Sequence, residues 1–171
     1  GGVVVLALGN HREFWRKSDI VVSSLRSSIP DAHLNYILHK PENKKLLDAF
    51  LFVVPTEPDN FDKIKDYAAR PGTAVWKRTI CVPTDSHLAT DKGEDLLATG
   101  SSTAAARASG YLAALKELAE NTWNEEAVSA QEIANIMLDN ARKPALGSRY
   151  RYGCGILNVH EAIKYIERVD F

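Results

Sequence analysis

Gly100-Ser101-Ser102-Thr103-Ala104-Ala105-Ala106-Arg107-Ala108-Ser109-Gly110 is the stretch whose reading decides the fold. A glycine and a serine pair lead into a run of very small residues, which reads as a helix lying close on a sheet. Ala104, Ala108, Tyr111, Leu112, Leu115 and Leu118 recur at helical spacing and carry that helix onward. A serine in its first turn stands where backbone N–H groups lack partners and the helix dipole favours negative charge. A serine nucleophile needs that environment, because its attack creates an oxyanion beside it. The plainer reading of Ser102 is an N-cap, whose hydroxyl closes the helix start and does no chemistry.

Working outward, Gly2 to Leu8 reads as a buried β-branched strand ended by Gly9-Asn10, and Leu51 to Val54 as a second strand stopped by Pro55. Val75 to Val82 is a third strand candidate. Asp19 to Val22 suits a short strand and Ala32 to His39 a helical turn. Asn43 to Ala49 reads as helical, with Leu46, Leu47 and Phe50 on its apolar side. Ser129-Ala130-Gln131-Glu132 has capping-box form and opens a helix carrying Ile133, Ile136, Met137 and Ala141. Asn158-Val159-His160-Glu161 repeats the pattern for a last helix with Ala162, Ile163 and Ile166 inward. Strands alternating with helices predict an α/β fold, a mainly parallel sheet flanked by helices.

Composition narrows the function classes. The 171 residues are 45% hydrophobic and 25% charged, ordinary for one globular domain or a large part of one. The net charge is −1 with scattered basic residues, which argues against nucleic acid and anionic membrane surfaces as partners. No apolar run approaches membrane-spanning length, and the opening strand-like run Val3 to Leu8 has no signal-peptide pattern. Two cysteines, Cys81 and Cys154, exclude a disulfide-dense scaffold and leave the compartment open. Neither a metal nor a cofactor is expected.

Three segments in order resemble the subtilases. Gly100-Ser101-Ser102 and the following small residues resemble the family's Gly-Thr-Ser-x-Ala-x-Pro motif, with Ser102 at the catalytic serine, Ser101 in place of Thr and Ala106 in place of Pro. Cys81-Val82-Pro83-Thr84 followed by Leu96-Leu97-Ala98-Thr99-Gly100 resembles the family's Val-Ala-Pro-Gly, a polar loop, then the strand entering the serine motif. Tyr152-Gly153-Cys154-Gly155-Ile156-Leu157-Asn158 resembles Tyr-Gly-x-Gly-x-x-Asn near the end of the catalytic domain. The resemblance implies a subtilisin-like domain of which residues 1–171 are the C-terminal, serine-bearing portion.

It also implies site residues. Ala7-Leu8-Gly9 looks like the strand ending Ser-Leu-Gly, whose edge pairs with the substrate backbone. Leu51 to Asn60 looks like the strand ending Ala-Ala-Gly-Asn-Asp-Gly, whose Asn donates to the oxyanion. Pro58 falls at that Asn position, so Asn60 is the expected donor after a remodelled loop. A rival alignment sets Val3 to Asn10 on that strand and makes Asn10 the donor. The first is preferred because it uses both apolar strands and the helix between them in family order. Glu57, on the wall that lines the primary specificity pocket in the family, hints at a basic side chain before the scissile bond, against the plain reading of a solvated loop charge.

The family's Asp-Ser/Thr-Gly and His-Gly-Thr-His motifs are absent here, and none of His11, His33, His39, His87 and His160 precedes Gly-Thr. The implied function is a serine endopeptidase acting on peptide or protein substrates, with Asp and His supplied by a preceding segment or a second chain. The alternative is a catalytically inactive subtilase-like module that binds extended peptides. An unrelated α/β hydrolase is disfavoured because no Gly-x-Ser-x-Gly elbow surrounds Ser102.

Overall fold

The computed structural model describes residues 2–10, 40–73, 75–84, 86–89, 91–124 and 128–169. The expected elements at Asp19 to Val22 and Ala32 to His39 lie outside these residues. Three parallel strands form the centre: β1 (Val4–Ala7), β2 (Phe50–Thr56) and β3 (Thr79–Pro83), side by side in that order. Val4 stands opposite Phe50, and Phe52 opposite Thr79. Alternate residues point to opposite faces of a strand. Leu51, Val53, Ile80 and Val82 join the helix-side core, while Phe52, Val54 and Cys81 join the core on the other face. Both faces are therefore buried, which is why β2 and β3 read as continuous apolar runs.

Four helical segments follow: α1 (Ser101–Trp123), α2 (Ala130–Asp139), the short α3 (Arg149–Tyr152) and α4 (Val159–Arg168). The α1 residues Ala104, Ala108, Leu115 and Ala119 are buried against the sheet and the other helices. The absence of side chains beyond Cβ at three of them lets the helix lie close. Both expected caps form: Ser129 Oγ accepts the Glu132 N–H at 3.1 Å, and Asn158 Oδ1 accepts the Glu161 N–H at 3.2 Å. Trp123 Nε1 donates to the Ile166 carbonyl at 2.9 Å and fastens the end of α1 to α4.

The structure differs from the expected elements in five places. β1 is only half-buried, with Val4 49% exposed, because β2 is its partner among the described strands and its other edge has none there. β2 runs through Pro55 to Thr56: the fixed φ of proline suits an extended chain, and only one ladder donor is lost. β3 starts at Thr79, not Val75. The Val75 carbonyl is taken by the Arg78 N–H and the Thr79 hydroxyl, which curls Trp76–Arg78 into a 3-10 turn. Residues Pro41–Ala49 are likewise wound as a 3-10 helix. Finally, the polar loop expected before the serine motif contains a hairpin, β4 (Ser86–Ala89) antiparallel to β5 (Asp95–Ala98), which delivers the chain to Gly100.

The Tyr152-Gly153-Cys154-Gly155 segment lies against the start of β3. Gly153 has φ +64°, and a Cβ there would stand 2.4 Å from the Thr79 carbonyl oxygen. Only glycine fits both that conformation and that approach. The chain then continues beside β3: the Cys81 N–H meets the Gly155 carbonyl at 2.8 Å, and the Leu157 N–H meets the Cys81 carbonyl at 2.8 Å.

Candidate active site

Ser102 is the second residue of α1 and is exposed. The N-cap is Gly100, not Ser102, and Gly100 has no side chain to close the helix start. The plain capping reading of Ser102 therefore fails, and its hydroxyl is left for other work. Its backbone N–H, in the first turn, has no acceptor within the helix. Gly100 turns the chain from β5 into α1 at φ +125°, a region that side chains rarely allow.

Asn10, just past the end of β1, reaches this helix start. Its Oδ1 accepts the buried Ser101 N–H at 3.1 Å. That bond fixes the amide orientation, so the NH2 group faces the other way. A Cβ placed on Gly100 would lie 3.6 Å from Ser102 Oγ and 4.0 Å from Asn10 Nδ2. Hydroxyl and amide thus converge over one glycine, beside a helix N-terminus whose dipole favours an anion. An oxygen gaining negative charge there would find two kinds of donor, a side-chain amide and a backbone N–H.

The surroundings are held by named ties. The Ala69 N–H meets the Gly9 carbonyl at 2.8 Å, and Tyr67 Oη is hydrogen-bonded to Thr99 Oγ1 at 3.1 Å. Both bring the segment after β2 against the approach to Gly100. Arg107, one turn into α1 beyond Ser102, donates to the Pro83 carbonyl at 2.9 Å and locks the helix to the end of β3. The two departures from the family motif are compatible with this arrangement. Ser101 is buried with its N–H satisfied, and Ala106 is exposed on the helix surface.

The other expected site residues are placed differently. Asn60 is exposed in the turn after β2, and its carbonyl accepts the Lys63 N–H at 2.9 Å. Its described bonds are local, whereas those of Asn10 lead to the serine helix. Glu57 is paired with Lys65 at 2.7 Å and with Lys63 at 3.9 Å, so its charge is already met from within the chain. In the Ala7-Leu8-Gly9 edge, the Leu8 N–H is bonded to the Val53 carbonyl at 3.1 Å, and the Gly9 carbonyl is occupied by Ala69. Augmentation by a substrate strand is therefore confined to what those bonds leave open. His160 is exposed on α4, the backbone of His87 lies in β4, and His11, His33 and His39 fall outside the described residues. Among the described residues no group of three or more His, Cys, Asp or Glu is placed to hold a metal, and no helix is long and apolar enough to cross a membrane.

No family profile matches the chain, and neither does any curated protein. Solved structures do. The self-cleaved protease domain of PatA superposes with a TM-score of 0.65 at 20% identity, covering 99% of this chain and 51% of that one. The PatG macrocyclase domain gives 0.66 at 19% identity, over 96% of this chain and 43% of that one. The prenylagaramide maturation protease PagA gives 0.60 at 24% identity, over 69% and 42%. The chain thus spans about half the length of these domains or less. The parallel sheet, the small-residue helix entered at Gly100 and these neighbours together establish that the chain has a subtilisin-like α/β fold.

Proposed function

We propose that this chain is the serine-bearing part of a subtilisin-like serine endopeptidase, with Ser102 as nucleophile. A serine hydroxyl is a weak nucleophile near neutral pH and needs a base oriented by a third group. In this reading a His and an Asp come from a preceding segment or a second chain. The His takes the Ser102 proton as Oγ attacks the peptide carbonyl. The tetrahedral oxygen is held by the Ser102 N–H and the Asn10 amide, the leaving amine takes the proton back, and water resolves the acyl-enzyme.

The observation that carries this reading is the convergence of Ser102 Oγ and the Asn10 amide at Gly100. It favours Asn10 over Asn60 as the oxyanion donor. A fluorophosphonate probe tests it. With the chain joined to the segment that carries Asp and His, the probe is expected to label wild type and not Ser102→Ala, while both melt alike. Equal labelling of the two would refute Ser102, and a folded complex that no probe labels would favour the inactive peptide-binding module.

A further inference from the structure

The opposite end of the sheet carries a second cleft. It lies where β3 begins, whereas Ser102 sits beyond the strands' C-terminal ends; the five residues of β3 alone separate the two by about 16 Å at 3.3 Å per residue. The cleft encloses about 380 Å³ and is lined by Trp76, Lys143, Ser148, Arg149, Tyr152 and Cys154, among others. Its volume falls in the range of ligand sites.

Its electrostatics are one-sided. Arg149 lies over the Trp76 ring at 4.7 Å from Cζ to the ring centroid, and Lys77 over the same ring at 5.6 Å from Nζ. Lys143 Nζ donates to the Cys154 carbonyl at 2.5 Å, and Arg149 Nη2 to the Tyr150 hydroxyl at 3.1 Å. All these partners are neutral. Among the described residues none of Lys77, Lys143 and Arg149 forms an ion pair, and no carboxylate lines the cleft. Asp139, a carboxylate close enough to influence Cys154, lines a different cleft. Burial pushes the Cys154 thiol up, so it stays protonated, donating to the Lys77 carbonyl at 3.4 Å, and adds no negative charge.

The walls are rigid. Tyr152 is buried with its hydroxyl on the Asp62 carbonyl at 2.6 Å, and Gly153 is pressed on Thr79. Three exposed cations from three chain segments, held apart around a fixed aromatic floor, suit several negative charges spaced along one ligand. The Trp76 ring already carries two cations and meets Tyr150 edge-on at 6.5 Å, so a nucleobase would have to compete with these contacts to stack on it. We propose that this cleft binds an acidic polypeptide segment, with Lys143 and Arg149 meeting its carboxylates and Lys77 extending the track.

This site is independent of the chemistry assigned to Ser102. The test is fluorescence anisotropy of fluorescein-labelled octaglutamate with the chain joined to its Asp- and His-bearing segment. Wild type and Ser102→Ala should bind alike, and unlabelled octaglutamate should compete where octaglutamine does not. Lys143→Glu with Arg149→Glu should weaken binding by about tenfold or more, while the charge-matched control Lys92→Glu with Arg168→Glu, at exposed positions elsewhere, should change it by less than about twofold. An absence of binding by wild type, an equal loss in the control pair, or equally tight binding of an oligothymidylate of the same charge would each overturn the proposal. The single substitutions Lys143→Gln and Arg149→Gln, at exposed positions, locate the site should the double variant fail to fold: each should weaken binding, and no change in either would overturn the proposal.

Discussion

On the proposed function Asn10 does two things with one amide, and an isosteric substitution separates them. Its carbonyl oxygen holds the Ser101 N–H at 3.1 Å, and its NH2 is turned toward Gly100, where Ser102 Oγ also stands. Asn10→Asp keeps the acceptor, removes the donor and puts a negative charge at a helix N-terminus. That charge should raise stability by about 0.3–1 kcal/mol, a Tm gain of roughly 1–4 °C for a chain of this size. Turnover should move the other way: loss of one oxyanion donor costs roughly 10²–10³ in kcat, and a carboxylate beside the forming oxyanion adds to the loss. KM should hardly change, because the donor acts only in the transition state. Asn10→Ala removes both functions, so kcat should fall comparably while stability drops by about 1 kcal/mol, as for a lost cap. The assay is a thermal melt of each variant together with steady-state hydrolysis of a peptide ester by the chain joined to its Asp- and His-bearing segment. A variant pair that splits in Tm and falls together in kcat supports the geometry. Asn10→Asp with kcat within about threefold of wild type would refute it, and a large kcat loss confined to Asn60→Ala would restore Asn60 as the donor.

Other outcomes follow from the packing. Gly153→Ala should cost about 3 kcal/mol or more, since its Cβ meets the Thr79 carbonyl in a left-handed conformation; loss of the cooperative melt checks this. Trp123→Phe should destabilise by about 1–3 kcal/mol by leaving the Ile166 carbonyl without its indole donor, measured by urea unfolding. Burial raises the Cys81 thiol far above its ordinary range, and that of Cys154 in the same direction. A group whose folded pKa is raised stabilises fully below its unfolded value, so stability should decline as pH rises beyond about 8.5. Cys81→Ala should flatten that alkaline decline; an unchanged slope would show that the buried thiol does not cause it.

What was legible in the chain is what is decided locally. The caps at Ser129 and Asn158 each take an N–H three residues on, and α1 declares its inner face by spacing alone. The subtilisin-like fold followed from motifs whose glycines and small residues answer to close contacts, as Gly153 does against Thr79. The choice between Asn10 and Asn60 was not local. Each follows an apolar strand, and which one meets Ser102 depends on which strand end lies beside the start of α1, a matter of sheet order rather than sequence order. A usable signal was present, since Gly9 directly precedes Asn10 as glycine precedes asparagine in the family motif. The strand entering the serine motif was legible at Leu96 to Ala98, but its hairpin partner β4 was hidden by its four-residue length, and β2 was cut short by a general rule about proline that this strand does not follow.

The Asn10 to Ser101 bond joins residues 91 positions apart. The helix that bears Ser102 can wind from its own neighbours, but the cradle around its hydroxyl cannot. Closing a loop of that length costs about 4 kcal/mol in chain entropy before any contact compensates for it. β1 precedes that helix in the chain and has to await it, with parallel pairing to β2 and β3 in between. An incompletely folded chain therefore carries a serine without its Asn10 neighbour, and on the proposed function the capacity to attack a peptide bond would arise only once the sheet is assembled. Latency would then be a property of chain order, set by the 91 positions between the two partners of one hydrogen bond.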